Sequence, residues 1–298
     1  MNTKRYEMKR IRIVLMVAVA AFGAGDLVSS SQPMPPSQDT SLQARLIMHA
    51  GKGNGAPENT LPAMSRAVAA GFGFECDIQM SADKRIFTAH NASAKVYCGR
   101  DVLFKTMPWD DIAKIDVGRA IGGEAWTGTR PALLEEILPL MGDGRKSYIE
   151  VKTSAGVEIV PYIKKLVDAQ SVATPKNMVF ISFDKAICRA LRKSMPEYEV
   201  LWLTLPCPED EKRVPVSADE LIASLREVGA TGVDIRIDMG ILTEAYIKKV
   251  KDAGFSFSVW TVDDPEASRV LLARGVDTIT TNCAKETLEY MKSWKPTR

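Results

Sequence analysis

The chain has two histidines, His49 and His90. Each ends a short β-rich run, Leu46–His49 and Arg85–His90. Between them, in Phe74–Met80, stands the triplet Glu75-Cys76-Asp77. Residues two apart in a strand project to the same side, so Glu75 and Asp77 share a face that Cys76 does not. The same spacing recurs at Glu150 and Lys152 in the run Ser147–Lys152. Carboxylates gathered on neighbouring strands repel one another unless a cation holds them. Oxygen ligands suit a hard divalent ion, Mg²⁺ or Ca²⁺, which makes Glu75, Asp77 and Glu150 the candidate ligands of one metal ion. Two imidazoles beside such a site suit proton transfer, one accepting from an oxygen and the other donating to a second oxygen. Lys152 can neutralise an anionic substrate. Taken singly, each feature is commonplace: strand-end histidines are often structural, and E-x-D and E-x-K pairs often lie on solvated surfaces. Their joint occurrence carries the reading.

Such residues need a scaffold that brings strand ends together. Candidate strands are Leu46–His49, Phe74–Met80, Arg85–His90, Ser147–Lys152, Met178–Ser182, Glu199–Leu203, Gly232–Arg236, Ser256–Val262 and Thr278–Thr281, with helical patterns between most of them. One helix follows Pro57-Glu58-Asn59-Thr60, where Asn59 or Thr60 can cap it. Another begins at Ser217, with Glu220 three residues on in a capping-box pattern and Leu221, Ile222, Leu225 and Val228 on one face. A third opens at Asp264-Pro265. Alternating strands and helices without a glycine-rich dinucleotide fingerprint predict an α/β fold, a closed (β/α)8 TIM barrel. Nine strands are one too many. Phe74–Met80 and Arg85–His90 are separated by a turn-like Ser81-Ala82-Asp83-Lys84, so they read as a hairpin that leaves eight barrel strands. Residues 91–130 lack a clear strand–helix pair and read as a small insertion over the barrel mouth. In a barrel the active site lies at the C-terminal strand ends, where these titratable residues fall.

The rest of the chain bounds the class. Its 298 residues are 46% hydrophobic and 26% charged, enough for one large core and unlike a disordered chain. Lys4, Arg5, Lys9, Arg10 and Arg12 precede an apolar run from Ile13 to Gly25, the pattern of a signal peptide and short for a membrane span. The expected organisation is a signal peptide or N-terminal anchor over 1–30, a polar linker over 31–43 and the barrel over 44–298. An exported protein, periplasmic or secreted, follows, with membrane contact only through the N-terminal segment if it stays uncleaved. With Glu7, the leader's five basic residues give it +4 in a chain of formal charge +2, which leaves the remainder near −2. That balance does not favour nucleic acid as a partner. Five widely spaced cysteines, with no CxxC pair, argue against a disulfide framework or a zinc site.

The stretches Ile47-Met48-His49-Ala50-Gly51, Ala56-Pro57-Glu58-Asn59-Thr60-Leu61, Phe74-Glu75-Cys76-Asp77-Ile78, Thr88-Ala89-His90-Asn91, Ile149-Glu150-Val151-Lys152, Ser258-Val259-Trp260-Thr261-Val262 and Gly275-Val276-Asp277 occur in this order. In them the chain resembles the glycerophosphodiester phosphodiesterases, over about residues 46–290. The resemblance implies a TIM barrel with a small insertion after the E-x-D strand. It implies Glu75, Asp77 and Glu150 as metal ligands, and His49 and His90 as the catalytic acid–base pair; which is acid and which base stays open in the sequence. It implies Lys152 as a phosphate contact, Trp260 as an aromatic lining the pocket, and a small-molecule phosphodiester cleaved to glycerol 3-phosphate and an alcohol such as choline or ethanolamine. Two positions depart from the family pattern. Ala50 stands where an arginine usually grips the phosphate, and a methyl group cannot make that bidentate contact. Asn91 stands where aspartate is usual. Lys52, in the glycine-rich loop Gly51–Gly55, is the candidate replacement cation. The alternatives are another phosphodiester at the same site, a lysophospholipid or a sugar phosphodiester, and a non-catalytic barrel that captures phosphorylated ligands. The sequence does not fix the oligomeric state.

Overall fold

A computed structural model describes residues 40–142, 144–207 and 214–295. The expected signal peptide and most of the expected linker lie outside them. The end of that linker is structured: Thr40–Gln43 forms a helical turn, and Gln43 Nε2 donates to Ala70 O at 2.9 Å. Among the described residues no helix is long and apolar enough to cross a membrane.

The strands are β1 Leu46–Met48, β2 Gly73–Met80, β3 Ile86–Thr88, β4 Ser147–Val151, β5 Met178–Ser182, β6 Glu199–Thr204, β7 Gly232–Arg236, β8 Ser256–Trp260 and β9 Thr278–Thr281. Eight of them pair in parallel in the order β1-β2-β4-β5-β6-β7-β8-β9, and β9 pairs with β1 to close the ring. The remaining strand, β3, lies antiparallel to β2, with Met80 opposite Ile86. The expected hairpin and (β/α)8 barrel are both present. Outer helices start where the sequence offers caps. Thr60, Asp184, Ser217, Thr243 and Asp264 each accept a backbone N–H of the following first turn, and Ser217 with Glu220 forms the capping box.

Alternation along each strand divides the side chains. Cys76, Ile78, Val151, Phe180, Val233 and Val259 join the layer between barrel and helices. Ile47, Tyr148, Val179, Ile181, Leu201 and Leu203 fill the barrel's interior. Glu75, Asp77 and Glu150 take the other parity from Cys76 and Ile78, and that parity points into the barrel. The register sets Asp77 opposite Glu150.

The stretch read as a featureless insertion has its own order. Short helices at Lys95–Cys98, Trp109–Ile112 and Val117–Gly122 enclose a second small core built on Phe87, Phe104, Met107, Trp109 and Ile112. Phe87 of β3 meets the Phe104 ring edge-on at 5.2 Å. The hairpin therefore anchors the insertion to the barrel. None of the five cysteines is bridged, and Cys76 and Cys188 are buried.

Candidate active site

The turn after β1 organises the site. His49, Ala50 and Gly51 form a tight 3-10 turn in which Ala50 is left-handed, with φ 50° and ψ 23°. This turn aims the Ala50 N–H at Glu75 Oε2, 2.8 Å away, and its carbonyl accepts from Asn59 N at 2.9 Å. Asn59, also left-handed at φ 55°, donates Nδ2–H to Asp77 Oδ2 at 2.7 Å and accepts from Asp77 N at 2.9 Å. Thr88 of β3 donates to Asn59 O at 2.6 Å. The Ala56–Leu61 block thus holds one acid of the E-x-D pair in place, and the Ala50 N–H holds the other.

Glu75, Asp77 and Glu150 each offer an oxygen within 4.8 Å of the others. Their exposures are 2%, 1% and 9%. Lys152 Nζ lies 2.7 Å from Glu150 and 3.2 Å from Asp77. One ammonium therefore serves two anions in a buried setting. Burial, then the charges of Asp77 and Glu150, drives the Glu75 carboxyl well above the usual carboxylate range. Burial and the Asp77 charge push Glu150 up to about 7, although Lys152 opposes them. Asp77 stays below its ordinary value, because Lys152, His90 and the Asn59 bond outweigh its burial. Lys152 is held above the usual lysine range, since the two carboxylates outweigh its own desolvation. Glu75 Oε1 is buried and has no hydrogen-bond partner among the described residues. Three converging oxygens, one of them orphaned and two on acids driven towards protonation, fit a hard divalent cation.

His49 is held from the far side of the ring. Its Nδ1 lies 2.8 Å from Asn282 Oδ1. The Asn282 amide is oriented by Asp263, whose Oδ2 accepts from Asn282 Nδ2 at 2.7 Å while Oδ1 accepts from Asn282 N at 2.8 Å. With the amide nitrogen committed to Asp263, its oxygen faces His49. Nδ1 is therefore the protonated nitrogen, and Nε2 is left for chemistry. Burial alone would raise the Asp263 carboxyl, but the Asn282 backbone and side-chain bonds hold it below its ordinary value. Gly53 is required here. Its φ is +80°, and a Cβ at this position would lie 2.6 Å from Asn282 O. His90 lies two residues beyond β3 and is exposed.

A cavity of about 400 Å³ opens among these groups. One side is polar, formed by His49, Glu75, His90, Glu150 and Lys152; the other is formed largely by Ile181, Phe183, Leu203 and Trp260. Phe183 meets the Trp260 ring edge-on at 5.5 Å, and Trp260 Nε1 donates to Asp234 O at 3.1 Å. Of the residues singled out in the sequence, His49, His90, Glu75, Asp77, Glu150, Lys152 and Trp260 come together here. Lys52 does not. It pairs with Glu58 and lines a separate cavity with Trp126 and Ile121 of the insertion. The loop carries it outward, and a carboxylate six residues away captures it.

Four residues of the site have no sequence motif that announces them as functional: Phe183, Asp234, Asp263 and Asn282. Asp234 alone leaves a trace, as an acid between the aliphatic Val233 and Ile235 of a buried strand. Asp263 and Asn282 follow β8 and β9 and become partners only when the barrel closes.

Residues 49–286 match the Glycerophosphoryl diester phosphodiesterase family. A glycerophosphodiester phosphodiesterase from Caldanaerobacter subterraneus is 24% identical over 251 residues, covering 81% of this chain and 95% of that one. A phosphodiesterase from Oleispira antarctica, solved with its product sn-glycerol-3-phosphate, superposes with a TM-score of 0.72 at 18% identity, over 86% of this chain and 99% of that one. A putative glycerophosphoryl diester phosphodiesterase from Silicibacter pomeroyi superposes at 0.69 with 25% identity, over the same shares.

Proposed function

The chain belongs to the glycerophosphoryl diester phosphodiesterase family, and from that premise we propose that its cavity hydrolyses glycerophosphodiesters to glycerol 3-phosphate and an alcohol, with a divalent cation and two histidines. The observation that carries this reading is the convergence of Glu75, Glu150, Lys152, His49 and His90 on one cavity at the C-terminal ends of the barrel strands, with Asp77 beside Glu75 and Glu150 in the acid triad. Glu75, Asp77 and Glu150 would hold the cation, Mg²⁺ or Ca²⁺. When bound, it supplies positive charge beside the phosphoryl oxygens, where charge builds up in the transition state.

The chain's own residues account for the rest. Lys152 contributes a fixed positive charge at the same wall. His49 keeps its Nδ1–H on Asn282 and presents Nε2 to the cavity; to act as the acid it enters the step as the imidazolium, with a second proton on Nε2, and leaves it with Nδ1–H alone. His90, exposed at the mouth, has access to water. In hydrolysis a water oxygen forms the new bond to phosphorus and gives up a proton to one imidazole. The bond from phosphorus to the alcohol oxygen breaks, and the second imidazole returns a proton to that oxygen. We assign the acid to His49 and the base to His90. The apolar wall of Ile181, Leu203, Phe183 and Trp260 would shelter the non-phosphate part of the substrate.

The test is release of glycerol 3-phosphate from glycerophosphocholine, measured beside lysophosphatidylcholine, with and without chelator. Activity on the first, abolished by chelator and reduced about 10²–10⁴-fold in both His49→Ala and His90→Ala, is the expected result. Near-normal turnover in both histidine variants would sink the acid–base assignment. Cleavage of the lysophospholipid alone would move the substrate and leave the site as described.

A further inference from the structure

The cavity contains a carboxyl group that this reading does not use. Asp234, at the middle of β7, is 1% exposed and lines the cavity. Neither of its carboxylate oxygens has a hydrogen-bond partner among the described residues. It is absent from the triad of acids whose oxygens converge within 4.8 Å, so it is not a fourth member of the candidate metal site. In the closed ring β7 stands four strands from β2 in either direction, so Asp234 faces Glu75 and Asp77 across the barrel. Its register neighbours are Leu203 on β6 and Ser258 on β8. It therefore sits on the cavity's apolar side, beside Leu203 and Trp260.

A buried polar group without a partner destabilises a fold, and folds of this size pair nearly all of them. Deeper in the same barrel the pairing is complete: Tyr148 Oη, Ser258 Oγ and Thr278 Oγ1 bond one another at 2.6 to 3.1 Å. Asp234, with both carboxylate oxygens unpartnered among the described residues, departs from that pattern, and it lies where the barrel becomes a cavity. Burial, with the Glu150 charge adding to it, drives this carboxyl well above the usual range. A neutral acid offers one O–H donor and one carbonyl acceptor. That pair matches two adjacent hydroxyls, each of which both donates and accepts. It does not match a quaternary ammonium, which has no N–H and calls for a charged carboxylate.

We propose that Asp234 is a specificity-determining residue whose buried carboxyl, on the apolar side of the cavity opposite the metal-ligand strand, takes a vicinal pair of hydroxyls on the substrate. The proposal rests on the phosphodiesterase reading. The hydroxyls belong either to the glycerol end or to a hydroxylated alcohol end, and substrate choice separates the two. A site built to bond a hydroxyl discriminates strongly against the analogue that lacks it, because its own polar group is then left unpaired.

The experiment uses the full chain with Mg²⁺ and two variants, Asp234→Leu and Asp234→Asn. Calorimetry compares glycerol 3-phosphate with propyl phosphate, which keeps the phosphate and lacks both hydroxyls. The wild type prefers the former, and Asp234→Leu loses that preference by about tenfold or more. Turnover is then read on glycerophosphocholine, propylphosphoglycerol and propylphosphocholine. A loss of kcat/KM on the first, shared by the second where it yields glycerol 3-phosphate and propanol, places the contact at the glycerol end. A loss confined to the second, where it yields propyl phosphate and glycerol, places it at the alcohol end. Either supports the proposal. An equal loss on all three substrates, or an unchanged preference in calorimetry with no selective loss in turnover, overturns it. The melting temperature of Asp234→Leu is expected to hold or rise, because an orphaned carboxyl has been removed; a purely structural role would lower it. Asp234→Asn, whose amide keeps one donor and one acceptor, is expected to retain the preference; should Asp234→Leu fail to fold, Asp234→Val carries its comparison. Should the wild type cleave no phosphodiester, the proposed function fails by itself, and the calorimetric contrast still tests Asp234.

Discussion

In the metal-free protein, stability should fall as pH rises from 5 to 8, and the acid triad is the reason. The Glu150 carboxyl is pushed from 4.5 up to about 7 by burial and the Asp77 charge. The folded protein thus binds this proton more tightly than the unfolded chain does. The resulting stabilisation is complete below the unfolded value and lost as pH rises through about 7. A difference of this size corresponds to about 3 kcal/mol at 1.36 kcal/mol per pH unit. In a barrel of this length it lowers the melting temperature by roughly 6–12 °C. Glu75, driven in the same direction, adds to the loss. Asp77, held below its ordinary 3.8, contributes stability that is lost only in more acid solution, and Lys152, held up, only in strongly alkaline solution. Neither acts between pH 5 and 8. The assay is urea or thermal unfolding in chelator at several pH values, for wild type and Glu150→Gln. The wild-type minus variant difference isolates the group. It should swing by about 2–3 kcal/mol against the wild type across the window. Adding Mg²⁺ or Ca²⁺ at a hundred times its Kd should return about 2.7 kcal/mol. The cation must displace protons at low pH, so it should stabilise more at pH 8 than at pH 5. A wild-type minus variant difference that is flat or rises with pH, or a cation that stabilises equally at both ends, would refute the reasoning.

Two further outcomes follow from the residues that hold the site. Asn282→Ala removes the oxygen that fixes the His49 ring and should lower kcat by about 10–100-fold, by analogy with the loss of partners that orient metal-bound histidines. KM should change little, and an unchanged kcat would show that Asn282 does not position His49. Asn59→Ala removes both bonds to Asp77 and puts a Cβ-bearing residue without a polar handle at φ 55°. Denaturation should show a loss of about 2–4 kcal/mol. Asn59→Gly relieves the backbone strain and leaves the side-chain loss, so equal stability in the two variants would assign the cost to the hydrogen bonds.

The sequence exposes the barrel because its signal is repeated. Strands buried on both faces read as apolar runs, and capped amphipathic helices between them fix the rhythm. Hairpin turn chemistry at Ser81–Lys84 even accounts for the extra strand. The catalytic candidates are legible for a different reason. Glu75, Asp77, Glu150 and Lys152 occupy i, i+2 positions on strands, so local spacing alone puts each pair on one face. What escapes is whatever depends on closure. Asp263 and Asn282 are 19 residues apart in the chain, and Asn282 lies 233 residues from His49. No local pattern encodes those distances. The insertion hides its core because helices of four to six residues are too short for periodicity to register. Lys52 misleads because a lysine's spacing from histidine says where its Cα lies, and its ammonium goes to Glu58 instead.

The departure at Ala50 acquires a physical meaning from these contacts. The residue keeps the backbone role of its position: a left-handed turn whose N–H holds Glu75 and whose carbonyl holds Asn59. What it gives up is the side chain. With Lys52 paired elsewhere, Lys152 is the one lysine or arginine among the described residues that line the cavity, and it already serves Asp77 and Glu150. A phosphodiester anion entering this space meets the carboxyl groups of the triad, with Lys152 already committed to two of them. Coulomb repulsion at the effective dielectric of such sites is several kcal/mol for charges about 4 Å apart. Protonation of Glu75 and Glu150 or a bound divalent cation can remove it, but protonation also removes the ligands on which the cation depends. On the proposed function, anion binding and metal binding would therefore be coupled more tightly here than in a site that keeps the arginine, and the acid triad would set the affinity for phosphate as well as for metal.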